Sequence, residues 1–420
     1  MANLLGGAVV GGVRDPSSVY YNPGAMGLSG DTTLIISAEV LQIRELRLEG
    51  WGMRDDDLVS LGGGSAPSMF AIRLPFEVAG NHQIAISHVN RNDFNMEFRG
   101  IVVDRIDALP AAGYESFSGE GLLRQQMGED WYGLTWSYAI NDRLAVGTTW
   151  NVSVRSQRNR IEAIAQLLAD DGSHSLANVI TDYDFYNVRM LWKLGVALDR
   201  DPWALGLTLT TPSLDLFGSG SAHYNIGFYD SESMIENSLE AGTMKDIDAH
   251  YRSPLSVAAG VSHRFGSTGV HLTAEWFSEV REFEVMSLEG FVLDTGDQTL
   301  YPSLVHGLKE VVNFGVGVNH DFRDDISIYG GFTTDFSAFK SAEESMLSIT
   351  NWNIHHATVG GSFSFYHIGF TLGLCYSFGN GMFDRIIDFS GISSSGDLVL
   401  PPEENTITYK RLKFIIGLDY

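Results

Sequence analysis

Residues 14–27 read Arg14-Asp-Pro-Ser-Ser-Val-Tyr-Tyr-Asn-Pro-Gly-Ala-Met-Gly27. Two prolines, a closing glycine and no sustained period make this stretch neither strand nor helix. From residue 32 to the end, by contrast, the chain reads as strands. A short irregular segment ahead of a wall of strands implies a plug, residues 1–30, inside a barrel, residues 31–420.

A membrane-spanning strand alternates apolar residues toward lipid with polar or small ones toward the lumen, over about ten residues. Val312, Phe314, Val316 and Val318 alternate in this way with Asn313, Gly315, Gly317 and Asn319. Leu372, Leu374, Tyr376 and Phe378 do the same against Thr371, Gly373, Cys375 and Ser377. Fourteen such runs occur, from Leu34–Val40 to Leu412–Tyr420. Short turns such as Asn141-Asp142 and Gly266-Ser-Thr268 alternate with seven long external loops. An even count with strict long/short alternation predicts an all-β fold, a 14-stranded antiparallel transmembrane β-barrel with both ends on the short-turn side. The third run is anomalous. Ile84 and Ile86 begin an outward face that Phe94, Met96 and Phe98 continue at the same parity, which places His88, Asn90 and Asn92 toward lipid. Unpartnered polar groups in hydrocarbon are costly, so a bulge or a gap in the wall is expected between His88 and Asp93.

Composition agrees with this reading. Charged residues are 19%, aromatics 11%, and there are 46 glycines. No run of 18 apolar residues offers a spanning helix. A net charge of −25 without a basic stripe excludes nucleic acid as a partner. The single cysteine, Cys375, excludes an internal disulfide and a Cys-based zinc site. Leu4 to Val13 lacks a basic leader and an Ala-x-Ala site, so it is not read as a signal peptide. No P-loop or His-Glu-x-x-His motif is present. Ser262 and His263, as strand neighbours, point to opposite faces and cannot act as nucleophile and base. The expectation is a non-enzyme without cofactor. Asp55-Asp56-Asp57 and Asp170-Asp171 read as solvated loop acids, and no metal site is assigned.

The plug segment, Gly6-Gly7-Ala8 followed by Asp15-Pro16-Ser17-Ser18-Val19-Tyr20-Tyr21-Asn22-Pro23, resembles the N-terminal hatch of the FadL/TodX family of outer-membrane barrels. There the family usually has Asn-Pro-Ala, and this chain has Asn22-Pro23-Gly24. Gly206-Leu-Thr-Leu-Thr-Thr-Pro-Ser213 is similar to a family strand ending in Arg-Ser-Pro, and Tyr251-Arg-Ser-Pro-Leu-Ser to the next barrel segment. The resemblance spans nearly the whole chain. It implies residence in the outer membrane of a Gram-negative bacterium and passive uptake of hydrophobic molecules such as long-chain fatty acids. It also implies a hatch gated around Asp15, Asn22 and Pro23, and a lateral opening in the third strand near His88, Asn90 and Asn92.

Two ligand regions are expected. The segment Arg160–Ala169 carries Ile161, Ile164, Leu167 and Leu168 at helical spacing. With Met234 and Ile235 it would form the external capture groove that the resemblance implies; the bland alternative is that these faces pack on one another over the barrel mouth. In the lumen, parity directs Arg73, Arg155, Arg189 and Lys193 inward. Arg155, Arg189 and Lys193 suit a fatty-acid carboxylate, whereas internal pairing with Glu39, Glu275 or Asp15 is the structural alternative. Partners would be the hydrophobic ligand, membrane lipid or lipopolysaccharide, and other outer-membrane proteins. A FadL-like barrel serving as a structural subunit of a larger complex is the alternative function. A general porin fits less well, since the plug would have to leave the channel.

Overall fold

The structure, a computed structural model, describes residues 2–30, 33–49, 57–74, 81–106, 115–231, 237–288, 303–323, 325–340, 352–366, 368–384 and 404–420. Its strands are β1 (Leu34–Leu48), β2 (Leu58–Leu74), β3 (His82–Ile106), β4 (Glu115–Asn141), β5 (Leu144–Leu168), β6 (His174–Arg200), β7 (Trp203–Thr210), β8 (Leu214–Asp230) and β9 (Ser238–Asp248). They continue with β10 (Ser256–Phe265), β11 (Thr268–Phe277), β12 (Val280–Met286), β13 (Leu304–Leu308), β14 (Val311–Arg323), β15 (Ile326–Asp335), β16 (Trp352–Phe365), β17 (Ile368–Asp384) and β18 (Glu404–Asp419). Fourteen of these, all but β8, β9, β12 and β13, close into an antiparallel ring in which β5 pairs β6 and β1 pairs β18. Each of the fourteen sequence runs falls on one barrel strand, with Leu255 and Tyr420 one residue beyond the ends of β10 and β18, and with Phe76, at the end of the second run, outside the described residues.

On the ring's outer face Leu134, Trp136, Trp150, Leu194, Leu205, Leu207, Phe314 and Leu372 are exposed, while Thr135, Ser137, Thr149 and Ser153 are buried inward. An apolar exterior around a polar interior is the arrangement a bilayer selects. Among the described residues no helix is long and apolar enough to cross a membrane.

Strands β3 to β6 are 25 to 27 residues long, against about ten needed to span. At roughly 3.3 Å per residue they project far beyond the bilayer as continuous hairpins. The expected long loop after the fifth strand is therefore mostly strand, and only Ala169–Ser173 joins β5 to β6. In the projecting half the polarity reverses. Met96, Phe98, Leu123 and Ile161 point inward and form a core with Leu46, Leu48, Trp352, Ile407 and Tyr409. Glu97, Arg99 and Arg158 face out to water. A second external core is built by β6, β8, β12 and β13 around Tyr183, Phe185, Tyr224, Phe283 and Val285.

Two local expectations are corrected. Arg160–Ala169 is not helical: through Leu168 it is the end of β5, paired with β4 and β6 on both sides. A short apolar run satisfies periods of 3.6 and of 2 equally well, and here the two neighbouring strands decide. Residues 14–27, expected to be neither strand nor helix, hold two single-turn helices, α1 (Ser18–Tyr21) and α2 (Pro23–Met26). Asn22 caps the second, accepting from Gly24 N at 3.1 Å, with Pro23 in its first turn. There the missing proline N–H costs nothing.

Residues 2–29 pack against the inner wall. Gly6 and Gly7 turn the chain at φ of 61° and 71°, where other residues are strained. Thr149, Thr208 and Thr358 reach from the wall to the carbonyls of Val19, Tyr21 and Leu4 at 2.8–3.0 Å. Inward glycines let backbone meet backbone: a Cβ on Gly206 would lie 1.8 Å from Val10 O, and one on Gly147 2.4 Å from Pro23 O.

Candidate functional site: a cationic chamber above the plug

The bulge expected in the third strand is present, and it decides what faces the lumen. Asn90 pairs Asp130 and Asn92 pairs Glu129, so Arg91 is the extra residue. One extra residue flips the parity of everything beyond it. His88 and Asn90 keep the outward parity, and both bond Asp130, at 2.9 and 3.0 Å. Asn92, Phe94, Met96 and Phe98 turn inward instead of continuing the lipid face, which corrects the sequence reading for those four. On its other side β3 pairs β2 only from Ile84–Leu74 to Val89–Met69, although β2 continues back to Leu58 and β3 on to Ile106. Among the described residues the β2–β3 seam carries no strand pairing past Val89, although Ser60 Oγ accepts from Glu97 N at 3.0 Å.

Beside the bulge lies a chamber of about 590 Å³. Its centre is Glu129, 3% exposed, on the inward face of β4. Arg189 Nη2 lies 2.7 Å and Arg155 Nη1 3.2 Å from Glu129 Oε2. Arg91 Nη1 lies 3.3 Å from Oε1, to which Trp131 Nε1 donates at 2.7 Å. The Tyr251 ring lies beneath Arg155 and Arg189, with guanidinium carbons 4.2 and 4.7 Å from its centroid. Ser253 Oγ accepts from Arg189 Nε at 3.1 Å. Three guanidiniums surround one carboxylate, and Glu275 acts on Arg91 only from longer range, so the cluster keeps a net positive charge. Seven basic side chains line the chamber (Arg91, Arg155, Arg189, Arg252, Lys309, Arg411, Lys413) against four acidic ones (Glu39, Asp93, Glu129, Asp335). The chamber is cationic within a strongly acidic protein. Phe94, Phe339 and Trp352 add an apolar wall. His306, on β13, bonds Tyr251 Oη at 3.2 Å. Burial, with Arg155 nearby, pushes its imidazole down to about 3.

Arg155 and Arg189 thus meet in one place, and their partner is Glu129 rather than Glu39, Glu275 or Asp15; Glu275 acts instead on Lys193 and Arg91. Lys193 sits apart, in an adjoining space of about 290 Å³ beside the plug, with its Nζ 4.8 Å from the Tyr20 centroid. Arg73 instead donates to Gly30 O at 2.7 Å. Asp15 accepts from Ser17 N at 2.8 Å. Buried Asn22 donates to Val10 O at 3.0 Å and Val196 O at 2.9 Å, fastening plug to wall. Of the residues expected to form the groove, the four on β5 divide between its two faces. Ile161 and Leu167 face inward on β5 while Ile164 and Leu168 take the opposite face, and Met234 and Ile235 lie outside the described residues. Of the acidic clusters, Asp57 pairs Arg47 at 3.2 Å and Asp170 pairs Arg105 at 3.3 Å; Asp55 and Asp56 lie outside the described residues.

Sequence reasoning missed Glu129, Arg91 and Tyr251. Glu129 was within reach, since the inward parity of Thr135, Gly133 and Trp131 extends to it. Arg91 was hidden by the bulge, and Tyr251 by a segment with no period. Ser262 also has a partner other than its neighbour: its hydroxyl donates to His271 Nδ1 at 2.7 Å, and His271 Nε2 donates to Asn319 Oδ1 at 2.8 Å. Plug residue Gly12 covers this chain, for a Cβ there would stand 2.2 Å from Ser262 Oγ. It serves as wall structure against the plug.

No family model matches the chain, and no curated protein is similar to it in sequence. Solved structures are similar in fold. A Pseudomonas aeruginosa FadL homologue superposes with a TM-score of 0.59 at 14% identity, over 97% of this chain and 94% of that one. The Ralstonia pickettii toluene transporter TbuX gives 0.55 at 12%, over 97% and 95%. The Pseudomonas putida toluene transporter TodX gives 0.54 at 10%, over 98% and 96%. A ring of fourteen strands with an N-terminal segment packed inside it is thus the fold shared with the FadL homologue, TbuX and TodX, held here by a sequence only 10–14% identical to theirs.

Proposed function

We propose that this protein is a passive outer-membrane channel for hydrophobic molecules that carry an acidic head, with long-chain fatty acids as the model class. The observation that carries this reading is the uncancelled positive charge of Arg91, Arg155 and Arg189 around Glu129, in a chamber that also has an aromatic wall. An isolated charge is expensive away from bulk water, so a carboxylate from outside completes the site while Phe94, Phe339 and Trp352 take the tail. The toluene transport named for TbuX and TodX supports a hydrophobic cargo, and the acidic head is read from the chamber's cations alone. Release follows the unpaired β2–β3 seam, since Asn90, Asn92 and Asp93 at the bulge also line the chamber. The plug, fastened through Asn22, blocks the direct route down the axis.

Binding of a fluorescent fatty acid to the purified protein tests this. Arg155→Gln and Arg189→Gln should each weaken binding about tenfold or more, the scale of one lost charge-assisted bond. Unchanged affinity in both would overturn the proposed site.

A second reading, a structural subunit of a larger outer-membrane assembly, is favoured by the external platform. Among the described residues strand β9 pairs only β8 along its length, so no described strand covers its other edge, and Leu239 on it is 77% exposed. Such an edge can accept a partner strand. Stoichiometric partner proteins retained in mild detergent, with no bound lipid, would select this reading over transport.

A further inference from the structure

Between the last β2–β3 pair, Met69 with Val89, and the Ser60–Glu97 contact further out, the seam has no backbone ladder among the described residues. Arg44 crosses it there. It stands on β1, and its register partner on β2 is Gly62. A Cβ on Gly62 would lie 2.5 Å from Arg44 Nη2 and 3.2 Å from Cζ, so the guanidinium rests on bare backbone at that glycine. From there it reaches β3, with its guanidinium carbon 5.2 Å from the centroid of the Phe94 ring. One side chain thus spans three strands on the lumen side of the seam. On its other flank the register partner is Arg411 of β18, and opposed like charges repel, which drives Arg44 toward the ring. Phe94 lies between Arg44 and Trp352, whose ring centroid is 6.2 Å away, and both aromatic residues line the chamber.

The tie is weak in kind. Arg44 is buried, yet its Nε has no hydrogen-bond partner, and among the described residues no carboxylate forms an ion pair with it. A guanidinium stacked on a ring holds far less firmly than the ladders of backbone bonds that close the neighbouring β1–β2 and β3–β4 seams. It can let go without unpairing a strand. We infer that Arg44 is the gate of the lateral route: it holds Phe94 across the seam, and cargo passes when the guanidinium leaves the ring. The inference rests on the release path proposed above. Arg44 acts through Phe94 and is a positioning residue. A gate alters the barrier and not the bound state, so loosening it speeds entry and exit by the same factor and leaves affinity alone.

Stopped-flow mixing of a fluorescent long-chain fatty acid with the full chain in detergent tests this. Arg44→Ala removes the strap, and Gly62→Ala keeps it but puts a methyl where the guanidinium lies. Each should raise the association and dissociation rates together, about fivefold, with Kd within about twofold. Arg44→Lys, which can still stack on the ring, should stay near the unmodified rates. A lost packing contact alone would lower the melting temperature without moving the two rates in step. Unchanged rates in either alanine variant would overturn the gate and, with binding still weakened by Arg155→Gln, leave the carboxylate site standing. Should the fatty acid not bind at all, the proposed function fails and the gate is judged by access. Asn92 lines the chamber at the bulge, and Asn92→Cys is made in a Cys375→Ser background. Micelle-dissolved N-phenylmaleimide should label it about fivefold faster once Arg44→Ala is added, and an equal rate would overturn the gate.

Discussion

The same strands behave oppositely in their two halves. In the span, β4 and β5 show Leu134, Trp136 and Trp150 to the outside and keep Thr135, Thr149 and Ser153 within. In the projecting half they hide Leu123 and Ile161 and show Arg124 and Glu162. Neither strand slips in parity over this length, since the β4–β5 register runs without a shift from Ser116–Leu168 to Ala139–Ala145. What changes is the solvent, and the apolar face follows it. The crossover is the level of Glu129 and Arg155, where neither lipid nor a packed core fills the interior, and the chamber occupies that level.

The sharpest way to break this comparison is at the crossover itself. Glu129→Leu leaves three guanidiniums without their carboxylate and should destabilise the barrel by about 3–5 kcal/mol, read as earlier loss of the heat-modifiable folded band or as a lower denaturant midpoint. A smaller but cleaner contrast uses one substitution at two heights. Leu134→Lys, on the lipid face, should cost about 2–4 kcal/mol, whereas Gln126→Lys, outward on the same strand in the external half, should stay within about 0.5 kcal/mol. Equal effects would mean that the span has been placed wrongly. The smallest effect concerns His306. A histidine depressed to about 3 stays neutral in the folded protein, while the unfolded chain protonates near 6.5. Its contribution is therefore complete above pH ~6.5 and is lost as pH falls from there toward 3. The His306 ring signals should not titrate between pH 5 and 8 in NMR, and a midpoint near 6.5 would contradict its burial.

Much of the fold was legible because lipid imposes a period-two code that few other environments require. Strand count and turn alternation followed from it. The code lapses where the chain leaves the bilayer, which is why Ile161, Ile164, Leu167 and Leu168 read as a helix and are a strand. It is also broken by a single inserted residue, so Phe94, Met96 and Phe98 were assigned to the wrong face. The cations Arg155 and Arg189 were visible from parity alone. Their convergence on Glu129 was not, because it depends on how β4, β5 and β6 align.

The seam between β1 and β18 pairs Ile35 with Asp419, nearly the two ends of the chain. The ring therefore cannot close until the last strand has been made, and closure is the contact with the greatest loop entropy to overcome. The plug is covalently continuous with β1 and touches wall residues as far along as Gly360 and Gly373, which crowd Leu4. It must be seated while the sheet is still an open sheet, or be sealed in as the edges meet. The plug is therefore enclosed at ring closure at the latest, and a chain cut short before β18 would leave it without an enclosure.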